Sequence, residues 1–257
     1  MLQVTDPHLF ADSRASLRGT VTYDSLQVVL QHIITADWPA DHVAVTGDLI
    51  QDDSAGAYER FVESMSVLEQ PIQCIPGNHD IRPLMQTALD RPGFSYCSAI
   101  RKGNWLLIGI DSCKDGTAGG EIAAQELHRL GLLLDNCDVE HVLIWLHHPP
   151  VAMHSNWLDS VGLHNASAFL QLISSCTAVR GAVFGHVHQQ FDDYHEAIRI
   201  IGTPSTCRQF MPRSDEFAVD EQPPAYRRLS LKTDGTIDTE LIWVNDGSAA
   251  GRSRTQS

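Results

Sequence analysis

Side chains able to bind metal recur along this sequence in five short groups: Asp6-Pro7-His8, Gly47-Asp48, Gly77-Asn78-His79-Asp80, His147-His148-Pro149 and Gly185-His186-Val187-His188. Carboxylate, carboxamide and imidazole together are the donor set of borderline divalent cations such as Mn²⁺, Fe²⁺ and Zn²⁺, and a donor set without cysteine argues against a structural zinc site. Seven O and N donors converging on one edge would suit two ions rather than one. Two divalent ions about 3.5–4 Å apart are equipped for phosphate ester hydrolysis. They lower the pKa of a shared water, bind the non-bridging oxygens and hold phosphorus in line with the nucleophile.

The elements that must position these groups can be read from what precedes them. Each group follows a short apolar run, over 2–4, 43–45, 72–75, 142–146 and 182–184. A strand that stops at Asp, Asn or His puts that side chain at the carboxyl edge of a sheet, where open α/β folds bind ligands. Residues i and i+2 of an extended segment point the same way, so Asp6 with His8, and His186 with His188, are each expected to aim together. Gly47, Gly77 and Gly185 precede donors and are expected to permit the turn out of the strand.

Amphipathic spacing predicts helices over 20–36, 54–68 (with Ser54 as N-cap), 121–134 and 165–173. Strands over 94–100 and 105–110 are expected to be neighbours around the turn at 101–104. Beyond Gly185 come short strands over 198–201, 225–231 and 237–244, with a hairpin-type turn at 232–235. An α/β first half followed by a β-rich end fits two facing mixed sheets with helices outside, a four-layer αββα sandwich. Residues 1–244 are expected to form a single domain, 212–222 a surface loop and 245–257 a disordered tail.

Hydrophobic residues make up 43% and charged residues 19%, the balance of a globular protein with a core. No apolar run approaches the ~20 residues that span a bilayer. Residues 1–4 enter the first strand at once, which leaves no room for a signal peptide, so the expected compartment is the cytoplasm. The six dispersed cysteines read as reduced thiols, with Cys207 a buried small hydrophobe. A net charge of −14 excludes polynucleotide binding, which needs many Lys and Arg. It does not exclude a small anion, because bound cations reverse the local field. His32, His42, His128, His141, His154 and His195 belong to no group and are expected at the surface or on helices.

The order D-x-H, G-D, G-N-H-D, H-x-P, G-H-x-H resembles the signature of the calcineurin-like metallophosphoesterase superfamily. Further stretches (Thr5 to Phe10, Thr46 to Leu49, Pro76 to Asp80, Trp157 to Asp159 and Thr203 to Cys207) are similar to the bacterial class III 3′,5′-cyclic AMP phosphodiesterases. The likeness runs from about residue 2 to about 242, and it implies the same αββα fold. It implies two divalent ions, with Fe²⁺ and Mn²⁺ as the first candidates and Zn²⁺ as a third. One ion falls to Asp6, His8, Asp48 and His188, the other to Asp48, Asn78, His147 and His186, with Asp48 bridging.

The implied reaction converts 3′,5′-cyclic AMP to 5′-AMP, with a metal-bridging hydroxide as nucleophile and His79 as general acid to the departing alkoxide. Asn78, His79 and His188 are the implied substrate contacts. The substrate is then a small cyclic nucleotide, with no polynucleotide or membrane partner and no implied oligomeric state. The alternative keeps this chemistry on glycerophosphodiesters, nucleotide pyrophosphates or generic phosphodiesters; a non-catalytic binding module is a third reading. The H-x-P spacing selects His147, with His148 as the alternative ligand or a phosphate contact. Gln51 stands where many members have an acid that orients the catalytic histidine, and Asp52 or Asp53 are candidates to replace it. Residues 157–165 are expected to form a lid or base-contacting loop, in which Trp157 either stacks on a purine or anchors the loop.

Overall fold

The computed structural model describes residues 1–36 and 38–245. Most of the segment expected to be a disordered tail, 246–257, lies outside the described residues.

The apolar runs all become strands: Leu2–Val4, Val43–Thr46, Ile72–Ile75, His141–Leu146 and Val179–Phe184. The first four are buried along their whole length, and the fifth at every residue but one. That is the pattern of parallel strands covered on both faces. In one six-stranded sheet the order is Ile237–Trp243, Ala225–Leu231, Leu2–Val4, Val43–Thr46, Ile72–Ile75, Phe94–Tyr96, and the last four strands run parallel. In the other it is Phe191–His195, Ile198–Gly202, Val179–Phe184, His141–Leu146, Trp105–Gly109, Ala99–Lys102, with the four central strands parallel.

Alternation along each strand divides its side chains between two layers. Val43 and Val45 point outward with Leu2, Val4, Ile72 and Cys74, and meet Leu26, Val29, Leu30 and Ile33 of the helix Thr22–Thr35. Those helical positions fall at i, i+3, i+4 and i+7, one face of the helix. The second sheet turns Val142, Ile144, Leu146, Ala182 and Phe184 outward, against Leu130, Leu134, Phe169 and Ile173 of the helices Ala124–Asp135 and Ala166–Ser174. The alternate residues Ala44, Ile75, Leu143, Trp145, Val183 and Ile201 fill the space between the sheets. The result is the expected αββα sandwich. Ser54 caps the helix Ala55–Met65 as expected, its hydroxyl accepting from the Ala57 N–H at 3.1 Å.

Several local expectations need correction. The run over 94–100 is two strands in different sheets: Phe94–Tyr96 pairs with Ile72–Ile75, and Ala99–Lys102 with Trp105–Gly109. Cys97, at φ 42°, carries the chain from one sheet to the other. The helix Arg82–Leu89 was hidden by Pro83, which is tolerated in a first turn. Phe191–His195 is an edge strand with two acids, a composition that guards an open edge. The expected surface loop over 212–222 holds the return strand of a small hairpin, Gln209–Phe210 with Val219–Asp220. His42, just ahead of the strand Val43–Thr46, and His141, the first residue of His141–Leu146, are buried, and they contact Gln73 Oε1 and the Thr233 carbonyl.

Candidate metal centre

The five groups meet because the loops leaving neighbouring strands are hydrogen-bonded to one another. Asp6 N–H donates to the Gly47 carbonyl at 3.1 Å, His8 N–H to Asp48 at 3.0 Å and Leu9 N–H to Leu49 at 3.0 Å. From the second sheet, His186 N–H reaches the Asp6 carboxylate at 3.1–3.2 Å. The Thr203 to Cys207 stretch backs the first loop. Ser205 hydroxyl donates to the Asp6 carbonyl at 2.7 Å, and Thr206 N–H to the Thr5 carbonyl at 3.1 Å.

The backbone within these loops departs from the extended form expected. Asp6, His8, Asp48, His186 and His188 all have positive φ, between 47° and 67°. Left-handed Asp and His are uncommon and cost of order 1–3 kcal/mol each, so the surrounding bonds must hold them. Each pair converges by being wound, not by being stretched. The glycines also differ in role. Gly47 takes the turn, at φ 99°, whereas Gly77 and Gly185 have no positive φ and provide space. A Cβ on Gly77 would lie 2.7 Å from Asp48 Cγ and closer still to Asp48 Oδ1 and N. On Gly185 it would lie 2.7 Å from Asp6 Oδ2.

The seven sequence-read donors come together in one site. His188 Nε2 lies 3.2 Å from Asp6 Oδ1 and 3.2 Å from His8 Nε2. His147 Nε2 lies 3.3 Å from Asn78 Oδ1 and 3.2 Å from His186 Nδ1. Asp48 Oδ2 stands between the two sets, 3.7 Å from His8 Nε2 and 3.5 Å from His147 Nε2. Six of the donors are buried; Asn78 and His79 are half-buried and form the mouth.

The chemistry of these contacts fits cations. His147 Nδ1 faces the Thr46 carbonyl at 2.8 Å, and His188 Nδ1 faces the Arg208 carbonyl. Each carbonyl takes the ring's proton, which leaves the Nε2 lone pair pointing into the site. Lone pairs of nitrogen and oxygen therefore face one another at 3.2–3.7 Å, an arrangement that favours positive charge between them. The titration of the site points the same way. Burial raises the Asp48 carboxyl, but His147 and His8 beside it pull it well below its ordinary range. Burial lowers the His147 imidazole, but Asp48 and Asp6 outweigh this and push it up to about 9, so the acids favour positive charge at Nε2, whether a proton or a cation in its place. Burial holds His8 down at about 4. His8 Nδ1 and His186 Nε2 are buried without a hydrogen-bond partner.

The neighbouring residues sort into clear parts. A His148 nitrogen lies within 4.8 Å of the His147 and His186 nitrogens, yet both His148 ring nitrogens have other partners. Nδ1 meets the Ser112 hydroxyl at 2.9 Å and Nε2 the Ala118 carbonyl at 3.2 Å. His79 N–H donates to Asp48 Oδ1 at 2.9 Å, and its Nδ1 lies 3.2 Å from the Gln51 side-chain nitrogen. Gln51 itself therefore takes the position beside His79. Asp52 instead accepts from Ala11 N–H and the Ser54 hydroxyl.

A model of the family described as calcineurin-like phosphoesterase matches residues 1–190. The chain belongs to that family. Members are hydrolases with a dinuclear divalent metal centre, and the Asp and His groups of this chain have the composition such a centre needs. The chain is 38% identical over 249 residues to the 3′,5′-cyclic adenosine monophosphate phosphodiesterase CpdA of Vibrio vulnificus, covering 96% of this chain and 91% of that one. It is 36% identical over 247 residues to the Escherichia coli protein of the same name, covering 96% and 90%. A 3′,5′-cyclic-nucleotide phosphodiesterase of Nostoc is 32% identical over 93% of this chain and 90% of its own. In fold the chain is similar to a dimetal phosphatase from Danio rerio, with a TM-score of 0.64 at 15% identity, covering 95% and 98% of the two chains.

Sequence reasoning missed three supports of this phosphoesterase site. Ser112 accepts from both the His147 and His148 N–H groups at 3.1 Å. Thr5 donates to Asp6 Oδ2 at 2.6 Å. Phe210 lies flat on the His188 ring. Ser112 had a signal, since Asp111-Ser112 ends an apolar strand as the donor groups do.

Proposed function

We propose that the chain hydrolyses 3′,5′-cyclic AMP to 5′-AMP, with two divalent ions shared among Asp6, His8, Asp48, Asn78, His147, His186 and His188. The convergence of all seven donors around Asp48, with His79 beside them at the mouth, carries this reading. The names of the Vibrio vulnificus and Escherichia coli relatives, matched across 96% of the chain, support the substrate. Asp6, His8, Asp48 and His188 would hold one ion, and Asp48, Asn78, His147 and His186 the other. Fe²⁺ and Mn²⁺, the ions the resemblance implies first, are compatible with this O/N set, as is Zn²⁺. Bound there, two divalent cations supply charge that offsets the negative charge of the transition state and the means to activate water.

The chain's own residues supply positioning and a proton. Asn78 at the mouth and His188 on the floor orient the phosphodiester. The Gln51 carboxamide, 3.2 Å from His79 Nδ1, orients the ring; in the imidazolium form Nδ1–H would donate to the Gln51 amide oxygen, and the Nε2 proton would pass to the departing 3′-oxygen, leaving neutral imidazole. The bond from His79 N–H to Asp48 ties that acid to the bridging carboxylate. Residues 1–244 act as one unit in this reading. Arg227, near the end of the chain, donates to Thr203 Oγ1 at 2.8 Å; Thr203 contacts Gln3, whose amide donates to Thr46 Oγ1, just ahead of Gly47-Asp48.

Among the described residues no helix is long and apolar enough to cross a membrane. All six cysteines are free, which suits a reducing compartment, and the cytoplasm is the setting proposed. Product analysis with cyclic AMP, cyclic GMP and 2′,3′-cyclic AMP, metal by metal, tests the proposal. Release of 5′-AMP from cyclic AMP is expected. Cleavage of bis(p-nitrophenyl) phosphate with cyclic AMP left intact would replace it with a phosphodiesterase of other substrates.

A further inference from the structure

Beside His188 the rim of the site is aromatic. Phe210 stacks on the His188 imidazole with centroids 4.0 Å apart and 6° between planes. Trp157 meets Phe210 and Phe217 edge-on, each at 5.2 Å, and the two phenylalanines are 5.3 Å apart. The Trp157 N–H is buried without a hydrogen-bond partner. Its ring is committed to packing and braces the other two. Phe217 is different: it is 40% exposed, and the Arg18 guanidinium lies 3.9 Å from its ring centroid. Arg18 is at the tip of the hairpin Ser16–Leu17 with Thr20–Val21, where Arg18 and Gly19 both have positive φ, at 50° and 84°.

These side chains come from three segments, two of which are fastened together by hydrogen bonds, while Arg18 meets them through its contact with Phe217. The Ser155 hydroxyl donates to the Ser214 carbonyl, joining the loop of Trp157 to the hairpin of Phe210 and Phe217. That hairpin also receives the His188 Nδ1–H at Arg208 and the Phe210 N–H returns to the His188 carbonyl at 3.3 Å. The wall is therefore held in register with the metal floor. Phe217 keeps 40% of its surface exposed despite this packing, and the cation stacked on it stands at the lip of an anion site in a chain of net charge −14, where it suits an anionic ligand with an aromatic part.

We propose that Phe217 and Arg18 form the surface against which the nucleobase of a cyclic nucleotide stacks, with Trp157 and Phe210 as its brace. This rests on the phosphodiesterase reading above. The floor holds the phosphate, and the ribose carries the base sideways past His188 and Phe210 onto the wall. Every base presents a π-face to an aromatic ring, and the guanidinium adds cation–π attraction.

The test compares cyclic AMP with methyl p-nitrophenyl phosphate, a diester without a nucleobase, in the metal-loaded full chain. For Phe217→Ala the KM for cyclic AMP should rise about 10-fold, the scale of one lost base–aromatic stack. The kcat should hold within about twofold, as expected when ground-state and transition-state binding are lost equally. The ratio of kcat/KM for cyclic AMP to that for the base-free diester should fall by the same factor, and Phe217→Tyr should restore it. Arg18→Ala should raise the KM about threefold. Wild-type protein that cleaves cyclic AMP, with Phe217→Ala indistinguishable from it or equally impaired on both diesters, would overturn the wall alone. Wild-type protein that cleaves the base-free diester and spares cyclic AMP would overturn the wall and the substrate reading together.

Discussion

The floor of the site and its rim differ in where their residues come from and in how they are held. On the floor, Asp6, His8, Asp48, His147, His186 and His188 are buried, sit at strand ends and are locked by backbone bonds between loops. At the rim, Phe217 and Arg18 stand on hairpins outside both sheets and are partly or largely in solvent. Asp6, His8, Asp48, His186 and His188 cannot move without unwinding left-handed loops that their neighbours enforce, and His147 is held by Ser112 and the Thr46 carbonyl. A rim residue can change with little consequence for the fold. The division separates the chemistry of phosphodiester cleavage from the choice of what is attached to the phosphate.

The largest effects are expected on the floor. Asp48→Ala removes the carboxylate between the two donor sets, and activity should fall by several orders of magnitude with loss of bound metal. Gly77→Ala leaves every donor in place but drives a methyl group into Asp48. It should approach the same loss, read by metal analysis and turnover. Near-normal turnover in Gly77→Ala would show that the floor is soft and would break the contrast with the rim.

His79→Ala should be the next largest. It removes no proposed ligand, so both ions should remain, while cyclic AMP hydrolysis falls by about 10²–10⁴-fold. The loss on bis(p-nitrophenyl) phosphate should be smaller, because p-nitrophenolate leaves without a proton. Equal losses on both substrates would assign His79 to positioning.

The smallest effect belongs to the rim. Phe217→Ala should lower stability by only about 1 kcal/mol, the scale of its edge contacts with Trp157 and Phe210. A large drop in Tm would make Phe217 a structural residue.

Much of this site was legible in the sequence, for a physical reason. Metal donors must end strands at one sheet edge, so each donor group follows an apolar run, and both features are local. The four-layer fold was legible from the same runs and from the change to strands without helices after Gly185. What was not legible depended on residues distant in sequence. Gly77 must be small because Asp48 approaches it, and Gly185 because Thr5 and Asp6 do. The winding of Asp6 and His8 follows from bonds to Gly47 and Asp48, which their own segment does not reveal. The break at Cys97 carries no Gly or Pro, so 94–100 read as one strand. The rim joins residues 18, 157, 210 and 217, which share no periodicity; only Trp157 had drawn notice, and it packs as an anchor.

The central claim is that the floor works with two ions. Chelator-stripped protein, titrated with Mn²⁺ while bound metal and cyclic AMP hydrolysis are followed together, tests it most directly. Hydrolysis should stay low through the first equivalent of bound metal and rise with the second, in wild type but not in Asp48→Ala. Full activity at one bound ion, or in the stripped protein, would contradict it.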